Sequence, residues 1–131
     1  MAKRPKAILC LCHNDDMLRI RRMLLEHFGY TVLPTTSAED AKSVVKHQCP
    51  DMLLMDNGGD SGLDYKQLAE QVKKLCPEVI TVVLSPNFRL SVNGSVEAID
   101  SFVAQDDGPD ALIAQIQDLF AGEQGHGPAS M

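Results

Sequence analysis

The residue best placed to do chemistry is Asp56. It ends the apolar run Met52-Leu53-Leu54-Met55 and is followed by the Gly-rich segment Asn57-Gly58-Gly59-Asp60-Ser61-Gly62. A short apolar run bounded by turn residues reads as a buried strand. In an open parallel sheet, ligands gather at the carboxyl ends of the strands. A carboxylate there can accept a group, ligate a hard cation or simply open a turn. A second set of reactive types lies at the end of another apolar run: Cys12 and His13, then Asn14, Asp15 and Asp16. A thiol and an imidazole suit nucleophilic or soft-metal chemistry. The three amide and acid positions 14–16 suit a helix N-terminus.

Those residues acquire meaning only from the elements that hold them. Ala7 to Cys12 reads as a strand buried on both faces. A helix follows, with Met17, Ile20, Met23, Leu24 and Phe28 expected on its inner face and Arg19, Arg22 and Glu26 outside. Gly29 ends it. Tyr30–Leu33 is the second strand, and Ser37, with Asp40 three residues on, caps a second helix lined by Ala38, Ala41, Val44 and Val45. Met52–Met55 is the third strand. A helix from about Asp64 buries Tyr65, Leu68, Val72 and Leu75. Ile80–Leu84 is the fourth strand, and a short fourth helix is expected around Val92 to Ile99. Ser101–Ala104 is the fifth strand. Pro109 opens the last helix, which buries Leu112, Ile113, Ile116, Leu119 and Phe120.

Strands joined by helices run parallel with right-handed crossovers. The expected fold is therefore α/β: a three-layer (βα)5 flavodoxin-like, doubly wound parallel sheet of order 2-1-3-4-5. One domain spans residues 1–121, and residues 122–131 form a flexible tail. The switch point of that order lies between strands 1 and 3. It puts Cys12, His13, Asn14 and Asp15 in one pocket with Asp56, and Ser85 nearby.

Composition narrows the function. The 131 residues are 44% hydrophobic with net charge −6, which disfavours disorder and a nucleic-acid partner. No segment has the pattern of a secretory signal or a membrane span. Cys10, Cys12, Cys49 and Cys76 read as reduced cysteines of a cytoplasmic core, with no disulfide and no zinc-type spacing.

These residues resemble the receiver domain of response regulators in two-component phosphorelay signalling. The matching pieces are Ile8-Leu9, Gly29-Tyr30-x-Val32, Pro50-Asp51-x-Leu53-Leu54-x-Asp56, Val82-Val83-Leu84-Ser85 and Asp100-x-Phe102-Val103. The resemblance covers Lys6 to Phe120. It implies that Asp56 stands at the phospho-acceptor position and that Ser85 meets the phosphoryl oxygen. It further implies that Phe102 is the switch aromatic and that the Gly58 carbonyl joins Asp56 in holding Mg2+. It also exposes departures. Cys12-His13 stands where the family has its Mg2+-binding acids, and Gln105 stands where it has a lysine. The Met-Pro turn after the acceptor is replaced by Gly59-Asp60-Ser61.

Cys and His are poor ligands for Mg2+, and Gln105 brings no charge. The expectation is thus a non-enzymatic receiver-like module with weak or absent Mg2+ binding and weak or absent phosphorylation. It binds a protein partner: a histidine kinase, a phosphotransfer protein or a downstream target. The resemblance implies docking through the face of the fourth helix, fifth strand and fifth helix; a homodimer is admitted. No output domain follows, so the module is expected to stand alone or to be the receiver part of a longer chain. Two alternatives are carried. Asp15 and Asp16 could compensate for the missing acids and leave a fully phosphorylatable receiver. Or Cys12 could serve a phosphatase or phosphotransferase, although no Cys-x5-Arg motif follows it. A flavodoxin-type cofactor site wants a Gly/Ser/Thr-rich loop after the first strand, and positions 13–16 supply the wrong chemistry.

Overall fold

A computed structural model describes residues 5–56, 65–85, 99–104 and 108–125, excepting the side chains of Tyr65, Ser85, Phe102, Ala104 and residues 122–125. Its elements are β1 (Ala7–Leu11), α1 (Asp15–His27), β2 (Thr31–Thr35), α2 (Ala38–His47), β3 (Met52–Asp56), α3 (Tyr65–Leu75), β4 (Ile80–Ser85), β5 (Ser101–Ala104) and α4 (Gly108–Gly125). The five strands form one parallel sheet of order β2-β1-β3-β4-β5, as the alternating sequence requires. The fourth helix expected from sequence, Val92 to Ile99, falls almost wholly outside the described residues. The α4 of the structure is the fifth helix of the sequence reading, and it runs to Gly125, past the expected boundary at residue 121.

Alternation along the strands sorts the core into two layers. Ile8, Cys10 and Cys12 of the β1 segment, Met52 and Leu54 of β3, and Val82 and Leu84 of β4 pack with Leu18 and Leu25 of α1 and with Leu112, Ile113, Ile116 and Phe120 of α4. Leu9, Leu11, Leu53, Met55 and Val83 pack on the opposite side with Ala41 and Val45 of α2 and with Leu68, Ala69 and Val72 of α3. Positions 52, 54 and 56 share a face, so Asp56 turns toward α1.

Helix ends follow local chemistry. Asn14 Oδ1 accepts from Met17 N at 3.0 Å and caps α1. Ser37 Oγ accepts from Asp40 N at 3.1 Å and caps α2, as expected. Gly29 terminates α1 at φ +93°. There Tyr30 N donates to Leu25 O and Gly29 N to Glu26 O, the paired bonds of a Schellman stop, which needs a left-handed residue at this place.

Two packing expectations are corrected. The buried residues of α1 are Leu18, Arg21 and Leu25, whereas Met17, Ile20, Met23 and Phe28 are exposed. Leu24 is half-buried. Both sets recur at helical spacing, so periodicity cannot choose between them. The inward set includes Arg21, whose aliphatic stem can line a core once its head finds an anion. On α3, Leu75 is likewise exposed, and Ala69 is buried instead.

The cysteine expectation is corrected as well. Cys10 and Cys12 are free and buried, but Cys49 and Cys76 form a disulfide. Each precedes a proline that leads into a strand, Cys49-Pro50 before β3 and Cys76-Pro77 before β4. Those strands are neighbours in the sheet, with Met52 opposite Ile80. The segments that lead into these adjacent parallel strands thus lie side by side, and the disulfide joins them.

Candidate functional site

The site is built where β1 and β3 end side by side. Leu11 is in register with Met55, so the next residues, Cys12 and Asp56, are also neighbours. By alternation both side chains lie on the α1 face of the sheet. Cys12 Sγ donates to Asp56 Oδ2 at 3.3 Å. The Cys12 backbone is tied to the other neighbouring strand, its N–H donating to Thr35 O at 3.1 Å.

The third member was not among the residues singled out from sequence. Arg21 lies two turns into α1, and its Nη1 donates to Asp56 Oδ2 at 3.0 Å. Only 9% of the Arg21 side chain and 10% of the Asp56 side chain are exposed. A charge-assisted bond in such surroundings is screened little by water or salt. The signal that could have found it was a charged residue between Leu18 and Leu25 at spacings three and four, with a carboxylate at the end of the facing strand.

The thiols are held neutral. Burial pushes the Cys12 pKa up, and the charge and hydrogen bond of Asp56 push it further, against lowering contributions from the Asn14 backbone and the Arg21 charge. Burial raises Cys10 to about 12. A thiolate is the nucleophilic form, so this pocket works against one.

The remaining expected residues sort as follows. His13, Asn14 and Asp15 are exposed, whereas Cys12, expected beside them, is buried and bonds Asp56. The chain turns outward after β1 to begin α1, and Asn14 spends its side chain on the cap. Asp16 is exposed too. Ser85 closes β4 one residue beyond Leu84, the register partner of Asp56, and pairs with Ala104. Phe102 lies on β5 opposite Val83. Gly58 and Gln105 lie outside the described residues.

An apolar groove adjoins the pair. Met17, Ile20, Arg21 and Leu24 of α1 face Leu84, Gly108, Pro109 and Leu112 across a space of about 240 Å³. Arg21 thus stands between this groove and the Asp56 carboxylate.

The donor set fits a hard divalent cation poorly. No cluster of three or more His, Cys, Asp or Glu suited to a metal occurs among the described residues. Asp56 Oδ2 already holds a guanidinium. A doubly charged ion 4–6 Å from that guanidinium meets a repulsion on the order of 6–8 kcal/mol at an effective dielectric of about 20. The resemblance noted above carried an expectation of weak or absent Mg2+ binding; Gly58, which it would join to Asp56 as a ligand, lies outside the described residues.

With the geometry in hand, the molecule can be set beside known proteins. The fold is that of response-regulator receiver (CheY-like) domains. A receiver domain protein from Methanospirillum hungatei JF-1 superposes with a TM-score of 0.78 at 18% identity, covering 94% of this chain and 99% of that one. The response regulator TrrA of Thermotoga maritima, in complex with Mg(2+)-BeF, superposes with a TM-score of 0.76 at 18% identity over 87% and 98% of the two chains. The chemotaxis response regulator CheY4 of Vibrio cholerae gives 0.73 at 13% identity over 88% and 98%. No protein-family model matches the sequence, and no curated protein matches it. No helix among the described residues is long and apolar enough to cross a membrane.

Proposed function

We propose that this chain is a receiver-fold module of two-component-type signalling that acts by binding a protein partner, with its acceptor-position aspartate withdrawn from phosphoryl chemistry. The observation that carries this reading is the buried Arg21–Asp56 pair. Phosphoryl transfer to a carboxylate needs an oxygen free to attack and cations arranged around the incoming phosphoryl group. Here the carboxylate already shares a guanidinium and a thiol proton through Oδ2. Cys12 and His13, where the family has its acids, supply no replacement charge. The partner would be a histidine kinase, a phosphotransfer protein or a downstream target. Of the expected docking face, β5 and α4 lie among the described residues.

Support for an enzyme is lacking on the same ground. Cys12 is the best nucleophile by type, yet burial and Asp56 both favour its neutral thiol.

Intact-mass analysis after incubation with acetyl phosphate and Mg2+ tests the proposal. The wild type should gain no stable phosphoryl mass, and Asp56→Asn should look the same. A label on the wild type that Asp56→Asn removes overturns the reading. So does turnover of a phosphate ester that Cys12→Ser abolishes.

A further inference from the structure

We propose that the Arg21 guanidinium is the resident cation of this pocket, standing beside Asp56 in the place a divalent metal would need, so that the pocket is closed to Mg2+ by its own side chain. The inference rests on the reading of Asp56 as the acceptor-position carboxylate and assigns the cause of its withdrawal to one residue.

Three observations converge on Arg21. Its charge is buried in the same enclosure as Asp56, at 3.0 Å from Oδ2. It comes from the rigid middle of α1, flanked by the fully packed Leu25 and the buried Leu18, so it is held in place by a packed helix. It borders the apolar groove against Leu84, Pro109 and Leu112, a boundary at which the guanidinium separates the carboxylate from the space beside it. A charged carboxylate buried to this degree is costly unless it is paired. In this chain the cation is covalently attached. Unlike a dissociable metal, it cannot be removed by a chelator or diluted away.

The consequence is specific. A side chain in that place can be mutated, and its removal should reopen the carboxylate to an exchangeable cation. Gln keeps a hydrogen-bond donor for Oδ2 and much of the volume while removing the charge. Mn2+ serves as the probe, because it prefers oxygen ligands as Mg2+ does and free and bound forms are distinguished by paramagnetic resonance.

Wild type, Arg21→Gln and Arg21→Gln/Asp56→Asn are titrated with Mn2+. The single variant should bind at least about tenfold more tightly than wild type, a difference of about 1.4 kcal/mol. The double variant should lose that gain. If Arg21→Gln does not fold alone, the same inference requires millimolar Mn2+ to restore its circular dichroism, because a ligand that binds only the native state stabilises it. A folded Arg21→Gln that binds Mn2+ no better than wild type overturns the inference. An unfolded variant that Mn2+ fails to restore does so too, as does Asp56-dependent Mn2+ binding by the wild type. The two proposals fail separately. Phosphoryl label on the wild type defeats the partner-binding reading, whereas an unchanged Mn2+ affinity in Arg21→Gln defeats only the assignment to Arg21.

Discussion

The two ends of the sheet use the same residue types in opposite ways. At the end where the strands begin, carboxylates hold the backbone. Asp51 Oδ2 accepts from Ala7 N at 2.7 Å and so ties the start of β3 to the start of β1. Asp100 Oδ2 accepts from Thr81 N at 2.8 Å, from Thr81 Oγ1 at 3.2 Å and from Lys73 Nζ at 2.9 Å. The two cysteines at that end are joined. At the end where the strands finish, Asp56 pairs with the side chains of Arg21 and Cys12, and the cysteines are free. Aspartates that accept from backbone N–H groups are part of the scaffold. An aspartate that faces side chains across a strand end is free to take a different partner when those side chains change, and here the partner is an arginine.

Breaking the finishing end should cost most. Arg21→Ala leaves a buried carboxylate without its cation and should lower unfolding free energy by about 3–5 kcal/mol. Replacing both partners, as in Arg21→Met/Asp56→Leu, should recover most of that loss. Urea denaturation checks this, and a loss below about 1 kcal/mol in Arg21→Ala would mean the pair contributes little.

The beginning end is next. Removing the Cys49–Cys76 bond, which closes a loop across a separation of 27 residues, should cost about 3–4 kcal/mol on the loop-entropy model. The comparison is of the oxidised protein with Cys49→Ser/Cys76→Ser. Equal midpoints would show that the bond stabilises nothing.

The free and joined cysteines also separate by pH. Cys10 is raised to about 12 from 9.0, so above pH 9 the unfolded thiol ionises while the folded one does not. Its contribution is whole below pH 9 and falls as pH climbs toward 12. At pH 10.5 the loss should be about 2 kcal/mol relative to Cys10→Ala, from about 1.4 kcal/mol per pH interval of one. The joined cysteines do not titrate and add nothing to this slope. Parallel stability curves for wild type and Cys10→Ala between pH 8 and 11 would contradict the burial of that thiol.

The smallest effect belongs to a single scaffold carboxylate. Asp100→Ala should cost about 1–2 kcal/mol through the Thr81 bonds, with Mn2+ affinity unchanged. A change in cation binding there would blur the division between the two ends.

Much of this was legible before any coordinate. Ser37 with Asp40, Gly29 at the helix stop and the apolar runs around Leu9, Leu53 and Val83 signal elements through local rules that act within a few residues. Those rules, with the handedness of crossovers, carry the strand order too. A carboxylate ending a buried strand was legible from Asp56 and its flanking residues. What was not legible was Arg21, because Met17-Ile20-Leu24 and Leu18-Leu25 are two competing stripes of the same period. The pairing of Cys49 with Cys76 was missed as well, although the repeated Cys-Pro step before adjacent strands foreshadows it.

The division has a physical cause. Periodicity, capping and turn chemistry are short-range, so the sequence by itself determined a parallel five-stranded receiver-type fold with Asp56 at a strand end. Which side chain neutralises that carboxylate depends on how α1 is rotated about its axis against β1 and β3. That rotation is set by the summed packing of Leu18, Leu25 and the sheet they cover. Only the tertiary structure decided it, and it placed Arg21 inward and Ile20 and Met23 in water.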